Sequence, residues 1–368
     1  MENKLARLDL QDPTALYLQI QKDIKSRIDK SELKVGDMLQ SQNELVKYYD
    51  VSLITVKRAI SDLIAEGVLY SRIGKGTYIA DPKRKLDLNN HKTIGVVLKD
   101  LEHPFFAPMI SRIEKATQQE KYNILLSSSA GNLDKEESQI EHLRRIGTNG
   151  LIIASLSLEY VASKTLRKLH DENFPYVMVS YMHDPDIWFV GSDNELGAFM
   201  ATEHLIKEGF KKIGILHGGK GNILGGVRKN GWKKALNKYN LEQDEKYIYY
   251  LDNITARYDS GYRIGKKFVK LKDRPEALFI YTDSAALGFQ KAVMEEGLKI
   301  PEDIAIVGFN DIESARHAAV PLTTIKQPIR KIGELAVKVV TARINGEDVP
   351  TRTILKPKLV VRDSSLHK

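Results

Sequence analysis

Two groups of side chains in this sequence have the types and spacing to do chemistry. The first runs Ser52-Leu53-Ile54-Thr55-Val56-Lys57-Arg58-Ala59-Ile60-Ser61-Asp62-Leu63-Ile64. Val56, Ile60, Leu63 and Ile64 share one face of a 3.6-residue period, and Ser52 is placed to cap the helix they predict. That leaves Leu53, Ile54, Thr55, Lys57 and Arg58 on the opposite side of the first two turns, free to meet a partner. Thr55 and Arg58 carry hydrogen-bonding groups suited to base edges, an arginine pairing bidentately with guanine, and Lys57 suits either a base or a phosphate. Ser41 and Ser52, each at a helix start with free amides beside it, suit phosphate oxygens. Residues 52–85 carry a net charge of +4, Arg72 and Lys75 included, and Gly74 and Gly76 let Lys75 approach a minor groove closely.

The second group lies just beyond predicted strand ends: Asp100 to Phe106, Ser127 to Ser129, Ser155, Tyr181, His217 to Arg228, Thr282-Asp283 and Asn310-Asp311. In open α/β lobes ligands collect at such positions. Hydroxyls, amides, carboxylates and aromatic rings together suit a neutral polyol, the polar groups meeting its hydroxyls and the ring faces its C–H surface. Gly218-Gly219-Lys220-Gly221 lacks the spacing and the Ser or Thr of a phosphate-binding Walker loop. Trp188 could stack on a sugar or pack into a lobe core.

No catalytic, metal or cofactor set emerges. The chain has no cysteine, and its nine histidines show no paired metal-ligand spacing. No nucleophile elbow assembles a Ser-His-Asp set. The expectation is a non-enzyme with no cofactor and no metal.

These groups need elements to hold them. Leu16, Ile20, Ile24 and Ile28 recur every four residues and predict a first helix over 14–30. Ser41 with Glu44 has capping-box spacing for a second helix, ending near Tyr49 and burying Leu45 with Tyr48 or Tyr49. Only Asp50 and Val51 separate it from the Ser52 cap, a connection that forces a steep crossing of the helix-turn-helix kind. Two short strands around Gly74-Lys75-Gly76 follow as a wing, which a plain three-helix bundle leaves unexplained. A basic, aperiodic linker fills 81–92, and from 93 strands and helices alternate to the C-terminus. About ten strands exceed one ordinary Rossmann-like sheet, so two parallel-sheet lobes with a cleft between them are expected.

The 368 residues fit two to three domains, and the net charge of +8 permits nucleic acid. No apolar run approaches the roughly 18 residues of a membrane span, and no signal segment opens the chain, so no membrane and a cytoplasmic location are expected.

About 65 residues of the N-terminal part resemble the winged helix-turn-helix domain of the GntR family. The resemblance rests on Gly36, Ser41, Glu44-Leu45, Val51-Ser52, Thr55-Val56, Arg58-Ala59-Ile60, Leu63, Glu66-Gly67 and Gly74-Lys75-Gly76-Thr77-Tyr78-Ile79. Two departures stand out: Gln40-Ser41-Gln42 where the family often has Pro-Ser-Glu, and Leu53 where it often has arginine. The rest of the chain resembles the sugar-binding domain of the lactose- and galactose-repressor (LacI/GalR) family, itself similar to periplasmic sugar-binding proteins. Ile94-Gly95-Val96-Val97, Pro104-Phe105-Phe106, Ser192-Asp193-Asn194, Arg228, Asp283 with Ala286-Leu287-Gly288, and Val307-Gly308-Phe309-Asn310-Asp311 carry this, with the distinctive Pro321 to Pro328 run. Joined, the two parts look like the arabinose-responsive repressors.

The resemblance implies effector contacts at Phe105 or Phe106, Arg228, Thr282 or Asp283, Asn310 and Gln327. Ser180-Tyr181 and Asn310 stand where the family often has Asp-Arg and Asp, which removes charge from the pocket. It also implies domains of 1–80, a linker 81–92, and an effector and dimerisation domain 93–368. Lobe 1 is expected at about 93–191 plus 327–352, and lobe 2 at about 192–326 plus 353–368, with crossings near 190–191, 324–326 and 351–355. The expected partners are double-stranded operator DNA, a monosaccharide effector and a second copy of the chain. Repressor and activator readings both fit, as does a sugar such as L-fucose in place of L-arabinose. A bare sugar-binding protein fails for want of a signal segment, and an aminotransferase fusion for want of a catalytic lysine.

Overall fold

The computed structural model describes residues 8, 12, 14–72, 76–80, 92–101, 104–154, 161–252 and 258–366. By its contacts the chain divides into two units, Met1–His91 and Lys92–Lys368.

In the first unit the four-residue apolar repeat forms α1 (Leu16–Asp29), which buries Ile20 and Ile24. A turn leads to α2 (Gln42–Tyr49), where Ser41 and Glu44 make both bonds of the capping box. Tyr49 is the buried one of the tyrosine pair, its hydroxyl donating to Asp23 at 2.7 Å. The chain leaves α2 through Asp50 in the left-handed region at φ 53° and enters α3 (Leu53–Ala65) at Ser52. Val56, Ala59, Ile60 and Leu63 of α3 close the core against α1 and α2. Then β1 (Leu69–Arg72) and β2 (Gly76–Ile79) pair antiparallel. The turn before α2 is bonded to this hairpin: Leu39 N–H donates to Thr77 O, and Gly36 N–H to Ile79 O.

The second unit holds two six-stranded sheets. Into the first run β3 (Thr93–Leu98), α4 (Ala107–Gln119), β4 (Asn123–Ser128), α5 (Leu133–Arg145), β5 (Gly150–Ala154), α6 (Lys164–Asp171), β6 (Tyr176–Ser180) and β7 (Phe189–Ser192). The second takes α7 (Asn194–Lys207), β8 (Ile213–His217), α8 (Ile223–Lys238), β9 (Ile248–Tyr250), α9 (Tyr258–Phe268), β10 (Ala277–Ile280), α10 (Asp283–Glu295), β11 (Ala305–Asn310), α11 (Glu313–Arg316) and β12 (Thr323–Lys326). The chain then returns to the first lobe with α12 (Ile329–Ile344) and β13 (Arg352–Leu355), and ends in the second with β14 (Lys358–Val360). Strand orders are β13-β7-β6-β5-β3-β4 and β14-β12-β11-β10-β8-β9, parallel throughout except for β14.

Apolar clusters cover both faces of each sheet, as parallel strands buried on both sides require. One lobe boundary differs from expectation. Arg352–Leu355 pairs in parallel with Phe189–Ser192, so 353–355 belong to the first lobe and the third crossing falls at Lys356-Pro357. The other crossings fall after Ser192 and at Gln327-Pro328. The sequence reading also left out α6, β7, α11, β12 and β13.

Candidate functional sites

The candidate recognition surface of the first unit is built on two capped helix starts. At α3 the Ser52 hydroxyl accepts from Thr55 N–H at 3.3 Å and lies 2.8 Å from the Thr55 hydroxyl. Thr55 is half-buried, and its hydroxyl already holds the capping Ser52 hydroxyl as a partner. Arg58 is also diverted. Its guanidinium carbon lies 3.9 Å from the centroid of the Tyr17 ring and its Nη2 donates to the Tyr17 hydroxyl at 3.2 Å, so the side chain is turned toward α1.

Lys57 is exposed, Leu53 is 39% exposed and Ile54 is 79% exposed. A depression of about 500 Å³ lies beside them, lined by Ser41, Asn43, Leu53, Lys57 and Thr77 among others. It brings both helix starts and the wing strand to one place, with Ser41 and Lys57 on its wall. Arg72 ends β1 opposite Gly76, and Lys75 lies outside the described residues.

In the second unit a cavity of about 720 Å³ opens between the lobes at the second crossing. Pro104, Phe105 and Ile329 line it from the first lobe, Asn310 and Ile312 from the second, and Gln327 and Pro328 from the crossing itself. Gln327 Nε2 donates to Asn310 Oδ1 at 2.8 Å, and both amides are buried. Asn310 sits at φ 127° and Asp311 at φ 57°, a bend at the end of β11, where the Asn310 amide meets Gln327. Against the opposing effect of burial, Arg362 and Lys326 hold the Asp311 carboxyl below its ordinary range. The cavity is within the size range of small-molecule sites; its amide pair can hold hydroxyls and the Phe105 ring a C–H surface, and charged side chains, Glu313, Arg316 and Lys331 among them, also line it.

Three expected effector residues, Phe105, Asn310 and Gln327, thus meet in one cavity, while others stand apart from its lining. Phe106 packs edge-on against Phe105 with centroids 5.2 Å apart. Arg228 is buried in the second lobe, its Nε and Nη2 donating to Asn194 Oδ1 at 3.2 and 2.9 Å and its Nη1 to the Tyr281 carbonyl. Its guanidinium carbon lies 3.7 Å from the Phe309 ring centroid and 4.5 Å from that of Tyr281. Asn194, Tyr281 and Phe309 were not singled out as site residues, although they fall at the strand ends that pointed to Arg228.

Thr282 caps α10 by accepting from Ala285 N–H at 3.3 Å. Asp283 is fully buried: Thr324 Oγ1 donates to one carboxylate oxygen at 2.5 Å and Ile312 N–H to the other at 2.9 Å. It ties α10 to β12 and to the loop after β11, apart from the cavity lining. Burial pushes its pKa up to about 6, against those same hydrogen bonds. Ser127 donates to Gln139 Oε1, Tyr181 is half-buried with its hydroxyl pKa raised by burial, and Ser155 lies outside the described residues. Trp188 resolves toward packing: it sits 5.4 Å from Tyr176 and beneath the Arg343 guanidinium at 3.9 Å. Among the described residues no group of acidic or histidine side chains could hold a metal ion, and no helix is long and apolar enough to cross a membrane.

Residues 16–79 match the bacterial regulatory proteins of the gntR family, and residues 202–365 match the periplasmic binding protein-like domain. The arabinose metabolism transcriptional repressor of Geobacillus stearothermophilus is 29% identical over 363 residues, covering 95% of this chain and 97% of that one. The HTH-type transcriptional repressor PurR of Mannheimia succiniciproducens is 30% identical over 287 residues, covering 76% of this chain and 83% of that one. Among solved structures, the transcription regulator CcpA of Lactococcus lactis superposes with a TM-score of 0.68 at 25% identity, over 75% of this chain and 99% of that chain.

Proposed function

This chain belongs to the LacI-type bacterial transcriptional repressors, with a GntR-type winged helix-turn-helix domain at its N-terminus, and on that premise we propose that it represses carbohydrate-utilisation genes until a monosaccharide releases it. The observation that carries the reading is the cavity where Phe105, Asn310 and Gln327 converge from both lobes and the crossing between them. A polyol held there touches both lobes and favours the arrangement in which they fit it best, by its differential affinity alone. The repressor works as a homodimer in the cytoplasm, reading two operator half-sites. L-Arabinose is the first candidate effector, because the relative matched over nearly the whole chain is named for arabinose metabolism.

Thermal unfolding of the full chain with L-arabinose, L-fucose, D-galactose, D-ribose and D-xylose tests this, followed by operator mobility shifts with any sugar that binds. One sugar is expected to raise the midpoint and weaken operator binding. No shift with any of them, or tighter DNA binding with the one that binds, would sink the proposal.

A further inference from the structure

We infer that Ile54 is a thymine reader, so that the operator half-site carries a thymine methyl group where this side chain enters the major groove. The inference rests on the DNA-binding reading of α3 and adds to it which base the helix selects. On the outward face of α3, Ile54, Lys57, Arg58 and Ser61 follow at helical spacing and all are exposed. Three of these four are polar, and the apolar one is 79% exposed, the most exposed of the large hydrophobic side chains among the described residues. The two groups best equipped to hydrogen-bond a base each already hold an intramolecular partner. Thr55 Oγ1 lies 2.8 Å from the capping Ser52 hydroxyl, and Arg58 is stacked on Tyr17 with a hydrogen bond to its hydroxyl.

What remains at the leading turn is an apolar pair, Ile54 flanked by Leu53 at 39% exposure, with Lys57 one turn on. Of the groups that base pairs present in the major groove, the thymine C5-methyl is the one sizeable apolar group, cytosine offering only a C5–H in its place. An isoleucine placed against a guanine or adenine edge would strip water from N7 and return no hydrogen bond, which costs free energy. Against a thymine methyl it buries apolar surface on both sides. The side chain therefore favours thymine and penalises its replacement. Arg58, held against α1, contributes positive charge to the duplex and carries no base preference.

The test uses the full-length chain and an operator that it enriches from a random duplex library. Each thymine of that operator is replaced in turn by deoxyuridine, which removes the methyl and leaves every hydrogen-bonding group in place. Wild type is expected to lose roughly fourfold in affinity per half-site at one such position. Ile54→Ala should bind the thymine and uracil duplexes alike, at the affinity wild type shows for uracil, and Ile54→Val should keep part of the discrimination. Arg58→Ala should weaken all duplexes by a similar factor and enrich the same consensus. Because Ile54 is exposed, unchanged thermal midpoints separate these effects from misfolding. If no thymine is methyl-sensitive, or if Ile54→Ala keeps the wild-type sensitivity, the inference fails while the DNA-binding reading stands. A change in oligomeric state in Ile54→Ala without loss of methyl sensitivity overturns it in favour of a protein contact. A chain that enriches no duplex overturns both.

Discussion

A carboxylate taken out of water is costly unless hydrogen bonds meet its charge, and Asp283 accepts from Thr324 Oγ1 and from the Ile312 and Asp311 N–H groups, with no cation beside it among the described residues. Its proton is therefore held up to about pH 6 in the folded lobe, against an ordinary value of 3.8. Between those limits the native state binds more protons than the unfolded chain, so this group makes stability fall as pH rises from about 4 to about 6, by an amount on the order of 3 kcal/mol. His204 and His217, whose pKa values burial lowers, act with the opposite sign and lose their contribution on acidification. The difference between wild type and Asp283→Asn isolates the carboxyl. Urea unfolding from pH 4 to pH 7, followed by fluorescence to which the buried Trp232 of the same lobe contributes, should show wild type losing ground to the variant as pH rises. A constant offset across that range would mean that Asp283 is charged in the native state. This residue was legible in sequence as a polar group beyond a strand end and, by family resemblance, as an effector contact. That position does not say which way the side chain turns, and Asp283 turns inward to hold the loop that presents Asn310.

At the scale of elements, the parts fixed by neighbours in sequence were readable and the parts fixed by distant pairing were not. The crossing of α2 and α3 follows from two serine caps, a capping box and a two-residue connection, all within a span of about 25 residues. By contrast β7 and β13 are four residues each, and neither has a pattern of its own. Arg352–Leu355 is a strand of the first lobe because Phe189–Ser192 offers it an edge, more than 150 positions earlier. The eight-residue α6 buries only Leu166 and Leu169, too few for a clear period. The cap at α3 also separates stability from recognition. Ser52→Ala removes the acceptor for Thr55 N–H and should cost the N-terminal unit about 1 kcal/mol, read from urea unfolding. Ser52→Asp keeps an acceptor and places a negative charge where the helix dipole welcomes it, so stability should hold. If a phosphate of the operator sits at this helix start, the same aspartate repels it, and operator affinity should fall well below that of Ser52→Ala. Equal operator affinity in the two variants would confine Ser52 to capping.

Over the whole molecule, the effector domain is two sheets joined by three chain crossings, at 192–193, 327–328 and 356–357. Gln327 is the cavity-lining residue that lies on a crossing and hydrogen-bonds a residue of the second lobe, so it is placed to feel both the ligand and the lobe arrangement. If the sugar and the operator bind different arrangements, their effects are reciprocal: the factor by which sugar weakens operator binding equals the factor by which operator weakens sugar binding, commonly about 5- to 150-fold. Calorimetric titration of the sugar into free and operator-bound protein, beside operator titrations with and without sugar, should close this cycle. Gln327→Ala removes a buried hydrogen-bonding group from the cavity and leaves the Asn310 amide without its partner. Sugar affinity should fall by roughly ten- to a hundredfold, while operator affinity in the absence of sugar stays within about twofold of wild type. Such a protein would repress and fail to respond. A variant that instead loses operator binding without sugar would show that Gln327 sets the resting arrangement of the lobes, because only a residue that biases the unliganded equilibrium can change DNA affinity before any ligand is present.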